Sequence, residues 1–368
     1  MRILVTGADG FIARNLCLAI AGRAWQVLPI TRNSSAAMLQ DAVAKADAVI
    51  HLAGVNRPQD PAEFASGNAG FTQQLCALLA ESGRKLPLAF SSSIQAERDN
   101  PYGSSKNSAE RAVLAYGQQS GAAARVYRLP NVFGKWCRPN YNSAIATFCH
   151  NIARGLPIQI NDPGAVMSLV YVDDVVAELL AFAQAPGDST GFFSVNPVYD
   201  STVGEVAAQI YAFQGVRTHL VSERVGEGLV RALYSTYISY LPPEQFSYPI
   251  PQYADPRGVF VEMLKTPDAG QFSYFTAYPG ITRGGHYHHS KTEKFLVMKG
   301  KALFKFRHML SGETFSLETS GEHPVVVESI PGWAHDITNT GDGEMLVMLW
   351  ANEIFDRDRP DTIAAEVF

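Results

Sequence analysis

Cysteine is scarce and shows no pairing pattern: the 368 residues include four, Cys17, Cys76, Cys137 and Cys149, with no C-x-x-C spacing. That argues against a disulfide framework or a thiolate zinc cluster and fits a reducing compartment. Basic runs are missing as well. Thirty Lys and Arg stand against thirty-five Asp and Glu, a net charge of −5, so the sequence holds no footprint for a phosphate backbone and nucleic acid is not expected as a partner. No apolar stretch reaches the ~18 residues of a membrane helix, and Met1-Arg2 leads at once into the short run Ile3-Leu4-Val5, without the apolar region of a signal peptide. The expectation is a cytoplasmic protein with no membrane partner. What is present is 46% hydrophobic and 18% charged residues, the balance of a globular enzyme long enough for two domains.

From Met1 to about Ser189, short strand-like runs (Ile3 to Val5, Val27 to Ile30, Ala48 to Leu52, Leu86 to Phe90, Ala124 to Arg128) alternate with longer segments of helical period. This predicts an α/β domain built on a Rossmann-type, doubly wound parallel sheet. From Val259 to Leu349 the runs are closely spaced and broken by Gly and Pro, which predicts an all-β barrel or sandwich. Prolines at 242, 243, 249 and 251 remove backbone donors between the two patterns, so the expected domains are 1–243 and 244–368.

After the first strand, Gly7-Ala8-Asp9-Gly10-Phe11-Ile12-Ala13 puts glycines where a pyrophosphate must approach the backbone at a helix N-terminus. Gly7, Gly10, Phe11 and Ile12 are the expected cofactor contacts. The second strand ends at Thr31-Arg32, where an NAD enzyme would place a carboxylate; the Arg32 guanidinium instead suits a 2′-phosphate and points to NADPH. Ser91-Ser92-Ser93 ends the fourth strand and Tyr102-Gly103-Ser104-Ser105-Lys106 follows, with Tyr102 and Lys106 on one helix face at i and i+4. A nearby ammonium is expected to lower the phenol pKa so that Tyr102 can act as proton donor, with Lys106 also reaching the nicotinamide ribose. Ser93 is the first choice for the carbonyl-binding hydroxyl and Ser92 the second, because neighbouring strand residues face opposite ways.

These motifs resemble the extended short-chain dehydrogenases that act on nucleotide-linked sugars, over residues 1 to about 240. The likeness extends to His51-Leu52-Ala53-Gly54, Asn68, Arg128-Leu129-Pro130-Asn131-Val132-Phe133-Gly134 and Leu169-Val170-Tyr171-Val172-Asp173-Asp174. It implies that Leu52, Ala53 and Gly54 line the cofactor, that Asn131 contacts substrate, and that Asn68 braces the catalytic strand. The interval from serine to tyrosine is shorter than in most such enzymes. Ile94-Gln95 stands where dehydratases of the group carry an Asp-Glu pair.

Further on, Gly280, His286, His288, Glu293 and Gly300 satisfy the cupin spacing G-x5-H-x-H-x4-E-x6-G, and strand alternation sends both histidines to one face. Pro331-Gly332-Trp333-Ala334-His335 resembles the second cupin motif with one residue less between proline and histidine, and makes His335 the fourth ligand. Three imidazoles and a carboxylate suit Zn²⁺, Fe²⁺, Mn²⁺ or Ni²⁺, with zinc the first choice. The other reading is a metal-free barrel whose histidines act on sugar directly.

A short-chain reductase joined to a cupin is similar to the bifunctional CapF-type enzymes of capsule and O-antigen synthesis. The resemblance implies that the barrel epimerises C3 of a UDP-linked 4-keto-6-deoxy N-acetylhexosamine and that the reductase then reduces C4 with NADPH to a 6-deoxy-L-talosamine nucleotide, toward N-acetyl-L-fucosamine. It also implies a homodimer. Tyr274, Tyr278, His323 and Asp336 are chemically able to serve as the barrel's base, and the sequence does not choose among them. The competing reading is a single-function reductase with a structural or sugar-binding barrel.

Overall fold

The computed structural model describes residues 1–58, 60–255, 258–261, 263–264, 266, 270–353 and 358–368. In chain order the elements are β1 (Arg2–Thr6), α1 (Phe11–Ala21), β2 (Gln26–Ile30), α2 (Ala36–Lys45), β3 (Ala48–His51), α3 (Ala62–Phe64), a π-helical turn (Ala65–Gly70), α4 (Phe71–Glu81), β4 (Leu88–Ser93), a 3₁₀ turn (Ile94–Glu97), α5 (Pro101–Ser120), β5 (Ala124–Leu129) and β6 (Asn131–Phe133). There follow α6 (Ala144–Ala153), β7 (Val166–Tyr171), α7 (Val172–Gln184), β8 (Gly191–Phe193), β9 (Val198–Thr202), α8 (Val203–His219) and α9 (Gly228–Ser239). The remainder is almost entirely strand: β10 (Ser247–Pro249), β11 (Gln252–Asp255), β12 (Gly258–Val261), β13 (Gln271–Ala277), β14 (Thr282–Tyr287), β15 (Glu293–Lys299), β16 (Lys301–His308), β17 (Thr314–Ser320), β18 (Val325–Glu328), β19 (Trp333–Asn339), β20 (Met345–Ala351) and β21 (Ile363–Ala364).

Packing gathers the chain into two compact units, Met1–Phe133 with Met167–Asp200, and Gly134–Val166 with Ser201–Phe368. In the first, a six-stranded parallel sheet has the order β2-β1-β3-β4-β5-β8. Its central strands are apolar on both faces: Ile3, Leu4 and Val5 of β1 and Val49 and Ile50 of β3 are fully buried, as a parallel sheet covered by helices requires. The order reverses about β1 and β3, and the crevice outside their C-terminal ends is where such sheets bind nucleotides. α5 is set by its ends. Asn100 accepts the Gly103 N–H at 2.8 Å with Pro101 in the first turn, and Gly121 closes the helix at φ +68°.

The second unit holds two antiparallel five-stranded sheets, β10-β18-β15-β20-β13 and β17-β16-β19-β14-β21, together with α6, α8 and α9. The parallel sheet and the all-β C-terminal part are those the sequence predicts. Packing does not divide the chain at the prolines, however. Residues 134–166 and 201–243 carry side chains that anchor in the β-sheets of the second unit: Arg217 of α8 pairs with Glu328 of β18, Arg231 of α9 with Glu353 at 3.1 Å, and the Trp136 indole donates to His308 at 2.9 Å. Among the described residues no helix is long and apolar enough to cross a membrane.

Candidate active sites

In the first unit the three serines ending β4 separate by face. Ser92 is buried and donates to Glu110 at 2.5 Å, whereas Ser93 is half-buried and hydrogen-bonds the Tyr102 phenol. Tyr102, Lys106 and Glu110 form one stripe along α5, at i, i+4 and i+8. Gly103 makes the short serine-to-tyrosine interval possible, since a Cβ there would lie 2.2 Å from the Arg98 carbonyl oxygen; the 3₁₀ turn packs directly on the helix.

Lys106 is buried, donates to the Ser91 carbonyl at 3.2 Å, and is lowered to about 8 by burial, which the Glu110 carboxylate opposes. The expected lowering of Tyr102 is not what this arrangement gives. Burial pushes the phenol up and the Ser93 hydrogen bond only partly offsets it.

The glycine turn lies at the switch point of the sheet. Gly10 donates to the Gly7 carbonyl at 2.8 Å and heads α1 without any side-chain cap, leaving the first-turn N–H groups facing outward for an anion. Gly7, at φ +66°, rests on the loop after β3: a Cβ there would meet the Ala53 Cα at 2.7 Å. Phe11 and Ile12 open α1 half-buried, and Leu52, Ala53 and Gly54 follow β3 alongside, with Gly54 against the Lys106 ammonium and the Asn68 amide. Arg32 is exposed in the Thr31–Ser34 turn and makes no hydrogen bond or ion pair with the described residues, so its guanidinium is open to a ligand.

Asn68 lies in the π-helical turn. Its amide joins both backbone groups of Val55 to Ser105 of α5, so it braces the loop after β3 against the helix and not the strand that the resemblance implies. His51 is fully buried between Thr6 and Thr72 and lowered to about 3 by burial, so it is a neutral structural residue. Asn131 is exposed at the start of β6 and donates to the Ser168 carbonyl at 3.0 Å. The sequence reading overlooked Glu110, which is buried, takes the Ser92 hydroxyl, and is gripped by Arg128 at 2.9 and 2.7 Å. Its position two turns beyond Tyr102 was the available signal.

In the second unit, His286, His288, Glu293 and His335 converge, each offering a ligand atom within 4.8 Å of all the others. β14 brings His286 and its neighbour His288, β15 begins at Glu293, and β19 pairs with β14 so that His335 lies opposite His286. The one-residue departure in the second motif therefore leaves His335 in the cluster.

The donor set fits a divalent cation. A carbonyl can only accept, so the contact of His288 Nδ1 with the Asp361 carbonyl fixes the ring hydrogen on Nδ1. In the neutral form of the ring the Nε2 lone pair then points at Glu293 Oε2, 3.0 Å away. A cation placed between them would be ligated by both. His335 Nε2 is buried without a hydrogen bond, 3.5 Å from the same oxygen. Glu293 is held well below the usual carboxylate range by His288 and His335 despite its burial, while burial and the neighbouring imidazoles lower His286 to about 4. His286 and Glu293 thus present deprotonated donors.

Beyond this shell, Lys291 meets Glu293 Oε1 at 3.1 Å. Asp361, whose carboxylate accepts three backbone N–H groups that hold it below the usual range, was invisible in the sequence motifs. Of the four candidate bases, Tyr274 and Tyr278 are 74% and 72% exposed and His323 is exposed. Asp336 follows His335 on β19, and burial raises its carboxyl.

A glycine turn at the switch point of a doubly wound sheet, with serine, tyrosine and lysine on the adjoining strand and helix, defines a short-chain dehydrogenase/reductase. The comparisons with known proteins narrow the class. The chain belongs to the NAD dependent epimerase/dehydratase family, whose model matches residues 3–195, and residues 253–363 match the Polysaccharide biosynthesis C-terminal domain. It is 55% identical over 368 residues, 100% of this chain and 99% of the relative, to the UDP-2-acetamido-2,6-beta-L-arabino-hexul-4-ose reductase of Pseudomonas aeruginosa (strain PA103). It resembles the crystal structure of the capsular polysaccharide assembling protein CapF from Staphylococcus aureus, with 41% identity, 100% of both chains covered and a TM-score of 0.67. UDP-glucuronic acid 4-epimerase from Bacillus cereus shares the fold of the reductase part at 20% identity, covering 58% of this chain and 85% of that one, with a TM-score of 0.51.

Proposed function

We propose that the chain is a bifunctional UDP-sugar enzyme of the CapF type. Its barrel, a zinc-binding cupin, epimerises C3 of a UDP-2-acetamido-2,6-dideoxy-hexos-4-ulose. Its reductase part then reduces the C4 ketone with NADPH to UDP-2-acetamido-2,6-dideoxy-L-talose, toward N-acetyl-L-fucosamine in capsule or O-antigen synthesis. The functional halves are residues 1–243 and 244–368, and the enzyme works in the cytoplasm as a homodimer. The observation that carries this reading is the presence in one chain of a Ser93–Tyr102–Lys106 group and a largely buried His₃Glu cluster, in a protein 55% identical over its whole length to a nucleotide-sugar 4-ketone reductase.

The chemistry sets the order of the steps. A C4 ketone acidifies the C3 proton because the resulting carbanion delocalises onto O4 as an enolate, and return of a proton from the opposite face inverts C3. Reduction removes the ketone and that acidity, so epimerisation comes first. A divalent cation held by His286, His288, Glu293 and His335 supplies stabilisation of negative charge. In the reductase, NADPH supplies the hydride. Tyr102 gives its phenolic proton to O4, the Ser93 hydroxyl holds that oxygen, and the Lys106 ammonium favours the phenolate left behind. Arg32 takes the 2′-phosphate, Gly7, Gly10, Phe11 and Ile12 admit the pyrophosphate, Leu52, Ala53 and Gly54 line the cofactor, and Asn131 contacts the sugar nucleotide.

The test is incubation of the UDP-linked 4-keto-6-deoxy N-acetylhexosamine in D₂O without NADPH, followed by mass spectrometry, beside His288→Ala. Deuterium enters the sugar with the unmutated protein and fails to enter with the variant; NADPH then yields the reduced product. If no deuterium enters above background while NADPH is still consumed on the epimerised ketone, the chain is a reductase with a structural barrel.

A further inference from the structure

The loop that joins β14 to β15 carries His288 and leads into Glu293, yet most of its support comes from outside the loop. Residues 361–365 supply much of it, beside Asn352, which bonds both backbone groups of Thr292, and Arg231, which donates to the Ser290 hydroxyl. The Asp361 carboxylate accepts the N–H groups of His289 at 2.8 Å, Ser290 at 2.7 Å and Lys291 at 2.7 Å, and the Ser290 hydroxyl at 3.1 Å. The same residue's carbonyl takes the Nδ1 hydrogen of His288. Thr362 accepts from the Lys291 ammonium at 3.2 Å, and that ammonium meets the Glu293 oxygen turned away from the histidines at 3.1 Å. Ile363 and Ala364 pair with Tyr287 and His286 as β21, and Ala365 donates to the Gly285 carbonyl at 2.9 Å. Three of the four converging donors are therefore oriented by this one stretch, and His335 reaches it through the pairing of β19 with β14.

We propose that residues 361–365 form a strap that assembles the metal centre, with Asp361 as the positioning residue and with strap docking and cation binding mutually coupled. The inference rests on the reading of His286, His288, Glu293 and His335 as cation ligands. Physically, one carboxylate replaces the hydrogen-bond ladder that a strand would give residues 289–291, and one carbonyl selects the His288 tautomer whose Nε2 is free to ligate. A cation fixes the same loop from the inner side. Each event lowers the ordering cost of the other, and linkage makes the effect reciprocal.

The full-length protein is stripped with a chelator, and its affinity for Zn²⁺ is measured by competition with a chromophoric chelator, beside Asp361→Ala, Asp361→Asn and the exposed control Glu366→Gln. Loss of this outer support weakens Zn²⁺ binding about 10- to 100-fold in Asp361→Ala. Asp361→Asn, which keeps one oxygen acceptor, falls between that variant and the control, and the control matches the unmutated chain. NADPH binding by the reductase part checks that each variant is folded.

A second measurement needs no variant. Amide hydrogen exchange at residues 289–291 and 361–365 slows on adding Zn²⁺ to the stripped, unmutated protein. Equal Zn²⁺ affinity in all four chains, or exchange at both segments indifferent to Zn²⁺, overturns the strap and leaves the metal centre standing. Failure of the unmutated protein to take up Zn²⁺ overturns the metal centre as well. If the Asp361 variants do not fold, the exchange measurement decides alone.

Discussion

Replacing Ser93 or Ser92 by alanine separates the two faces of β4 by their effect on catalysis. Ser93 reaches the Tyr102 phenol, so under the proposed roles Ser93→Ala removes a hydroxyl from the place where negative charge develops on the substrate oxygen. Loss of one such donor typically costs about 10²–10³ in kcat, or about 3–4 kcal/mol. Ser92 points to the other side. It donates to Glu110, which keeps both of its Arg128 contacts at 2.9 and 2.7 Å when the hydroxyl is gone. Ser92→Ala therefore loses one charge-assisted hydrogen bond, worth about 1.5–3 kcal/mol of stability, and leaves kcat within about threefold. The assay is NADPH consumption on the epimerised ketone at saturating cofactor, with calorimetry of each variant alongside. A Ser92→Ala enzyme slowed as much as Ser93→Ala, or a Ser93→Ala enzyme of near-normal kcat, refutes the assignment of faces.

Three further outcomes follow from named contacts. Lys106 is lowered to about 8 by burial, so the ammonium is present below that pH and lost above it; the reduction rate falls as pH rises through about 8, and a Lys106→Met enzyme shows a low rate without that limb. Arg32 is free for a ligand, and Arg32→Ala raises the KM for NADPH about 10- to 100-fold while leaving that for NADH nearly unchanged; equal changes in both remove Arg32 from cofactor selection. Glu328 is buried between Lys294 and Arg217, so Glu328→Gln strands the fully buried Lys294 and costs about 3–5 kcal/mol, whereas Lys294→Met leaves Glu328 paired with Arg217 and costs less. Urea melts that rank the two variants the other way contradict this account of the network.

The motifs legible in the sequence are those whose chemistry fixes local spacing. Tyr102 and Lys106 are one helical turn apart, His286 and His288 one strand repeat apart, and the glycines at 7 and 10 mark a single turn; each pattern needs only a helix or strand to become geometry. The choice between Ser92 and Ser93 needed the pairing of β4 with its neighbours and the packing of α5, because alternation says that the two differ without saying which faces inward. Asp361 left no trace in the sequence since it holds residues 289–291 chiefly through their backbone N–H groups, which no side-chain pattern records. The direction of the Tyr102 shift was misjudged for a related reason. Spacing reveals a neighbouring lysine, but desolvation depends on everything packed around the ring. Likewise, the prolines mark where the chain changes pattern, whereas the compact units follow partners such as Arg217 and Glu328, which lie far apart in sequence.

β15 opens with Glu293 and Lys294, consecutive residues that face opposite ways: the carboxylate joins the imidazole cluster and the ammonium enters the buried pair with Glu328 beneath Tyr248. Slipping this strand by one residue would put either Lys294 among the histidines and Phe295 beside Glu328, or Thr292 among the histidines and Glu293 in the place of the buried cation, so in either direction both environments would fail together. Homologous chains can therefore vary in length only where such a slip has no consequence. Insertions and deletions are expected in the turns at 309–313 and 340–344, and none between His288 and Lys299.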